Sequence, residues 1–494
     1  MKRLFLATAL LASLAGGAQK KAANNPKLFA ATITAADLKK HLYIIAGPEM
    51  EGRETATAGQ RKAAAYIENH FRQLGLEPAP GGSYQQEFQV YQDSLTGARL
   101  EVNGQSFAID KEFSPVTSAN ISGTFRFSEV VLLPSDTTVV KNADLTGRLV
   151  IMYGPANMGR IVSSTLINTL RAKGVAAVLT TAGNFPRNAG NRTGAQSIYS
   201  FRRTIAPQQY AVSEGVARAI TGADFDSLKA NSLTAPKVVM ANVLLETQKS
   251  TRALPSTNVL GVVSGSDLKD EYLFVTAHYD HLGKRGDSVI YYGADDDGSG
   301  TVGVLEMAEA FMLAKKAGRG PRRSIVFMAV SGEEKGLWGS EYYSEHPLFP
   351  LEKTTADLNI DMIGRSDEKR PGDTTNYIYI VGDDKVSSEL KPISEAANNQ
   401  YTKLELDYKF NDPADPNRIY FRSDHYNFAR KGVPIIFYYD GMLGADYHKP
   451  TDTPDKINYP LAARRAQLVF YTAWEMANRN AMLKRDLGIP KSQR

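Results

Sequence analysis

The sequence predicts an α/β protein: a doubly wound, mostly parallel sheet flanked by helices, with a β-rich unit inserted into it. Three observations carry this expectation. Apolar runs of strand length alternate with helix-period segments from about residue 257 onward, the pattern of the units that build parallel sheets. Two of those runs, 272–277 and 324–330, read as strands buried on both faces, and each empties into a loop dense in ionisable side chains. Between about residues 94 and 248 the pattern shifts to short strands with a single helical stretch.

Taken in order, residues 1–18 read as a signal peptide. Lys2 and Arg3 supply the charge, 4–14 the apolar run, and Gly16, Gly17 and Ala18 a small-residue cleavage site. The run is too short to span a bilayer and no other segment reads as a span. The expectation is an exported protein, periplasmic or secreted, without a stable membrane anchor. The chain has no cysteine, which excludes disulfides, a lipid-bearing cysteine and any thiolate metal site. Residues 19–33, polar and rich in small side chains, read as a flexible lead.

The main domain begins over 34–93. Leu38, Leu42, Ile44 and Ile45 form an apolar helical run, and Gly52-Arg53-Glu54-Thr55 reads as a loop. Ala64, Ile67, Phe71 and Leu74 then follow at helical spacing, stopped by Gly75, and 84–91 alternates as a strand. The insert, 94–248, offers strands at 98–102, 123–133, 148–153, 175–181 and 238–245, a helix at 161–172, and a polar surface loop at 184–203. None of it has catalytic spacing. The main domain resumes over 249–494, with strands at 257–263, 272–277, 324–330, 356–362, 377–381, 403–410 and 433–438. Helices are expected at 301–316, 386–398 and 461–483.

Size and charge narrow the function. A chain of 494 residues holds two or three domains at roughly 150 residues each. With 43% hydrophobic residues there is ample core, and a net charge of +5 without a long basic block gives no case for nucleic acid. No segment signals an oligomeric state.

The ionisable residues sit where strands stop or helices start. His278 and Asp280 follow one strand, Asp296 precedes a helix, Glu333 and Glu334 follow a second strand, and Asp361 ends a third. His448 lies in a loop before the last helix. The carboxyl edge of an open α/β sheet is where such folds place their chemistry. So many carboxylates cannot all stay ionised together without cations, and imidazole plus carboxylate without thiolate suits zinc, with cobalt or manganese as substitutes. The inventory fits two ions: His278 and Asp361 on one, Glu334 and His448 on the other, Asp296 between them. Glu333 and Glu334, pointing to different sides, can divide the work, one binding metal while the other stays unligated as general base. Asp280 is placed to hold the second nitrogen of His278. The acidic run 295–297 is not a calcium-binding loop of the helix–loop–helix type, which needs an acid where Gly293 stands. Asp424 reads equally well as a helix N-cap, and His281 and His425 as surface or supporting residues rather than ligands.

The segments AHYDHLG, GADDDGSG, SGEEKGLWGS, NIDMIG and YHKPTDTPD, in this order, resemble the co-catalytic dizinc aminopeptidases and their glutamate carboxypeptidase relatives. The resemblance covers about 35–92 and 255–485. It implies the zinc-exopeptidase fold, two zinc ions per chain, and peptides as substrates. It implies His278 and Asp361 on one zinc, Glu334 and His448 on the other, Asp296 bridging, Glu333 as base and Asp280 beside His278. It further implies Tyr447 as a donor to the tetrahedral oxyanion. The insert resembles a protease-associated domain by its place in the chain and its runs GRLVIMYG and GVAAVLTTAG, implying a lid over substrate access.

The reading is an exported zinc-dependent aminopeptidase. A carboxypeptidase on the same scaffold is the first alternative, with Arg418 and Arg422 as the residues to grip a terminal carboxylate. A glutaminyl cyclase, which generally works with one zinc, is the second. A binding protein with a degenerate site is the third, and the complete ligand set speaks against it.

Overall fold

The computed structural model describes residues 25–134, 140, 143–154, 164–181, 185–186, 192–200 and 205–488. The expected signal peptide, 1–18, lies outside the described residues. The chain divides into two compact units, one formed by Met1–Phe88 with Pro255–Arg494 and the other by Gln89–Leu254. The sequence reading set the insert at 94–248. The difference arises because the strands Gln85–Val102 and Lys237–Val263 are longer than their apolar alternation and run through both boundaries.

The first unit carries the expected α/β layers. Its central strand, Leu268–His278, pairs in parallel with Arg323–Val330 on one side and Thr354–Ile360 on the other. Thr354–Ile360 continues in parallel to Ile435–Tyr439, which pairs antiparallel with Tyr377–Val381. The last part of Lys237–Val263 closes the other side, antiparallel to Arg323–Val330. The chain thus leaves the central strand toward one neighbour and returns on the opposite side, creating a switch point where a crevice opens at the carboxyl ends.

Alternation on the central strand fills both faces. Leu273, Val275 and Ala277 enter the core beneath the helices Ala35–Ile45, Ala58–Leu74, Gly300–Lys316 and Tyr459–Asn478, while Phe274 enters the opposite core. The helix Ala58–Leu74 starts on Thr57, whose hydroxyl accepts from the Gln60 N–H, and ends on Gly75 in the left-handed region, where the sequence put its stop.

Three local expectations are corrected. Residues 25–33 are not a loose lead: Lys27–Ala30 is helical, and Phe29, Ala30 and Ile33 are buried in the main core, with Phe29 stacked on Trp474. The polar composition around them hid three anchoring side chains. The strand expected at 403–410 shrinks to Glu405–Asp407, and Trp338–Glu345 is an unanticipated helix after the Glu333–Glu334 turn.

The second unit is rich in strands. Gly123–Leu132, Leu149–Tyr153, Ala177–Thr181 and Gln208–Val212 run parallel in that order, flanked by Phe113–Pro115 and the start of Lys237–Val263 in antiparallel pairing. The helix Ser164–Ala172 is present, and residues 161–163 of the expectation lie outside the described residues. The expected loop 184–203 contains the strand Thr193–Ser197, and a helix at Glu214–Thr221 was not foreseen. Among the described residues no helix is long and apolar enough to cross a membrane.

Candidate metal centre

The parallel register sets the site. Thr276 pairs with Asn359 and His278 with Val330, so the central strand and both neighbours end side by side. His278 is the last residue of its strand, Asp361 follows Ile360 directly, and Glu333 and Glu334 open a short turn behind Gly332. Asp296 lies in the turn ahead of the helix Gly300–Lys316.

These side chains converge. His278 Nε2 lies 3.2 Å from Asp296 Oδ1 and 3.6 Å from Asp361 Oδ1. His448 Nε2 lies 3.2 Å from Asp296 Oδ2 and 3.0 Å from Glu334 Oε2. Asp296 therefore turns one oxygen to each of two clusters. His281, left aside by the sequence reading, is fully buried with Nδ1 2.7 Å from Glu334 Oε1 and 3.9 Å from Asp296 Oδ2. Its position beside Asp280 in AHYDHLG was the available signal, but one His after a strand is ordinarily a loop residue.

The three consecutive acids divide their work. Asp295 Oδ1 accepts from the Gly364 N–H at 2.8 Å, and Asp297 Oδ1 accepts from the N–H groups of Gly300 at 2.9 Å and Met362 at 3.0 Å. Both tie the Asp361 loop to the helix start, leaving Asp296 for the site. Asp452 supports the same turn, accepting from the Asp295 and Asp296 N–H groups at 3.0 and 3.2 Å. Gly293 holds φ at +56°, and a Cβ there would meet Asp296 O at 2.4 Å and His281 Cγ at 2.5 Å, so the turn requires glycine.

Arg53 is the support that sequence reading placed only in a loop. Its fully buried guanidinium donates to the carbonyls of Tyr279 at 2.7 Å, Ile45 at 2.8 Å, Tyr292 at 2.7 Å and Gly293 at 2.8 Å. One side chain clamps the end of the central strand to the Asp296 turn. Burial lowers its pKa to about 10, opposed by Asp280, Asp452, Asp296 and Asp297, so it stays charged at neutral pH.

Asp280 departs in detail from its expected role. His278 Nδ1 meets the main-chain oxygen of Asp280 at 3.1 Å, whereas the carboxylate Oδ1 stands 3.8 Å away. The carboxylate instead accepts from the Thr55 hydroxyl at 2.5 Å and the Glu333 N–H at 3.3 Å. Asp424 is not a side-chain N-cap. It is buried, accepts from the Ser340 hydroxyl, and burial pushes its pKa up to about 7. His425 is buried outside the cluster with Nε2 2.8 Å from the Tyr420 carbonyl.

Glu333, Asp296, Asp361, Arg422 and Tyr447 line a cavity whose other wall is apolar: Met362, Ile419, Phe437, Tyr439 and Leu443. Arg422 donates to the Tyr447 hydroxyl at 2.9 Å, and the Tyr447 ring stacks on His448 at 3.9 Å. Arg418 does not line this cavity. It lines a neighbouring pocket with Phe410, Tyr420 and Phe421, its guanidinium over the Phe421 ring, so the expected pairing of two arginines at one site is not what the fold provides.

Cations suit this donor set. His278 Nε2, His281 Nδ1, Asp296 Oδ2 and Glu334 Oε1 are all buried without a hydrogen bond, which is costly for polar groups that have no other partner. Two three-residue groups of donors, His278–Asp296–Asp361 and His281–Asp296–Glu334, are each compact enough to hold an ion, and they share Asp296. Burial resists ionisation of Glu333 and raises its pKa well above the carboxylate range, an effect its acidic neighbours Asp361 and Glu334 reinforce against the opposing His278.

Residues 258–473 match the family profile described as Peptidase family M28. Over this stretch the chain is similar to that family. The match spans the whole candidate centre, from the strand before His278 to His448. A probable leucine aminopeptidase of Arthroderma otae is 32% identical over 216 residues, covering 43% of this chain and 56% of that protein. A probable zinc metalloprotease of Pyrenophora teres f. teres is 27% identical, covering 45% of this chain and 49% of that protein. The chain thus spans about half the length of the curated relatives it matches. An aminopeptidase from Aneurinibacillus sp. strain AM-1 superposes with a TM-score of 0.58 at 18% identity, covering 95% of this chain and 100% of that one. A zinc aminopeptidase from Bacillus subtilis gives 0.52 at 19%, with 92% and 99% covered. These structures share the fold of this chain.

Proposed function

We propose that the protein is an exported metallo-aminopeptidase that removes amino-terminal residues from peptides with two divalent cations, zinc foremost and cobalt or manganese as substitutes. The observation that carries this is the shared carboxylate of Asp296, one oxygen toward His278 and the other toward His448, with Glu333 left outside both clusters. The zinc and aminopeptidase names of the relatives and structural neighbours support the same reading.

His278 and Asp361 would hold one ion, Glu334 and His448 the other, and Asp296 both. Such a pair supplies Lewis acidity, polarising the scissile carbonyl and acidifying a water. The side chains do the remainder. Glu333, half-buried in the cavity wall and free of the clusters, takes the proton of the attacking water and passes it to the leaving amine. Its raised pKa suits a group that must carry a proton between those two events. Tyr447, whose oxygen accepts from Arg422, keeps its own O–H free to donate to the developing oxyanion. The apolar wall of the cavity receives an uncharged side chain.

Arg422 is the one observation favouring a carboxypeptidase, since a guanidinium lines the cavity. It is engaged with Tyr447, and Arg418 lines another pocket, so the grip for a terminal carboxylate is weak. The strand-rich unit Gln89–Leu254 we assign to the protease-associated type on its place in the chain. The test is hydrolysis of an amino-acid anilide before and after dialysis against a chelator. Loss of activity that returns with zinc supports the reading, and an unchanged rate overturns it.

A further inference from the structure

His281 is buried in the centre, and nothing in the two-ligand arithmetic of the pair requires it. Resting on the dication reading above, we infer that His281 is an additional protein donor to the second ion, so that the two ion sites are chemically unequal.

The geometry separates a donor from a hydrogen-bonding support. His281 Nδ1 is 2.7 Å from Glu334 Oε1, close enough for a hydrogen bond, yet neither atom makes one, so the imidazole is not aligned on that oxygen. The His278 Nε2 atom has the same signature: near carboxylate oxygens at 3.2 and 3.6 Å, buried, and bonded to neither. Each nitrogen belongs instead to a compact set of donors whose atoms lie within 4.8 Å of one another. His281, Asp296 and Glu334 form one of the two compact donor groups among the described residues. The ring is also fixed in place. The Gly293 turn presses on its Cγ face, and the His281 N–H is 3.3 Å from the carbonyl of Arg53, whose guanidinium holds Gly293.

The first ion then sees one imidazole and two carboxylates, from His278, Asp361 and Asp296. The second sees two imidazoles and two carboxylates, from His281, His448, Glu334 and Asp296. More nitrogen and one more protein donor favour late first-row ions, so zinc leaves the first site before the second, and manganese replaces it there first.

The experiment is a competitive chelator titration of the full chain loaded with two equivalents of zinc, with metal per chain measured at each step and repeated with cobalt to follow its absorbance. Wild type is expected to lose its ions in two steps separated by at least tenfold in affinity. His281→Ala is expected to weaken the tighter step by roughly 10–100-fold and to change the cobalt spectrum of that site. Identical constants and spectrum in the variant overturn the inference while leaving the dication reading intact. Wild type that binds no second ion overturns both. X-ray absorption on wild type carrying one equivalent of zinc needs no variant: two imidazoles per ion are expected, and one imidazole overturns the inference even if His281→Ala fails to fold.

Discussion

Glu333 and Glu334 are adjacent in the chain, and the turn behind Gly332 sends their carboxyl groups to different places. Glu334 meets His448 at 3.0 Å and His281 at 2.7 Å, while Glu333 faces the cavity beside Arg422 and Tyr447. One carboxylate is placed for ion binding and the other for proton transfer. Glu333→Gln should therefore lower kcat by roughly 10²–10⁴-fold while metal per chain stays at the wild-type value. Equal loss of metal and activity would move Glu333 into the ion site.

Arg53 spends its donors on four carbonyls that the sequence leaves far apart, at positions 45, 279, 292 and 293. Arg53→Ala strands buried acceptors at roughly 1–3 kcal/mol each, so unfolding by urea should show a loss of about 3 kcal/mol or more. Arg53→Lys, with a compact head that cannot fork, should recover only part of it. A loss within about 0.5 kcal/mol would mean that the clamp is dispensable.

Arg422 fixes Tyr447 over the cavity, so Tyr447→Phe should reduce kcat by about 10–1000-fold with little change in KM. Arg422→Ala should fall in the same direction but less far, because the phenol remains. If Arg422→Ala raises KM steeply and spares kcat, the arginine binds substrate directly, as the carboxypeptidase reading requires.

Away from the centre, Glu306 is buried against His41, with Oε1 3.4 Å from Nε2, and His70 packs edge-on to His41. Burial raises the Glu306 pKa to about 8 and lowers the His41 pKa, so the pair is neutral in the fold near pH 7. A carboxyl whose folded pKa is raised costs nothing below the unfolded value of 4.5 and progressively more as pH climbs toward 8. Glu306→Gln should thus gain stability over wild type between pH 5 and pH 8, by at most about 1.4 kcal/mol per pH unit. Parallel stability profiles would show that Glu306 is ionised as a partner of protonated His41.

Much of the centre was legible because parallel strands buried on both faces write themselves as unbroken apolar runs, and their ends mark where side chains emerge. His278, Glu333, Glu334 and Asp361 were readable that way, and Asp296 and His448 from their motifs. What was not legible depends on contacts distant in sequence. Apart from the motif, nothing local distinguishes Asp296 from Asp295 and Asp297, whose Oδ1 atoms accept from the backbone N–H groups of residues 300, 362 and 364. His281 looks like a loop residue until Glu334 arrives beside it. Arg53 lies in a polar tetrapeptide whose burial comes from the fold, and the packing of Phe29 and Ile33 was masked by their polar surroundings.

The central claim, a metal-dependent attack at the amino end of a peptide, is tested most directly by mass spectrometry on one peptide in free, N-acetylated and C-amidated forms, with and without chelator. The account predicts stepwise loss of single residues from the amino end of the free and amidated forms, none from the acetylated form, and none with chelator. Loss from the carboxyl end, blocked by amidation and not by acetylation, would contradict it and make Arg422 a substrate anchor.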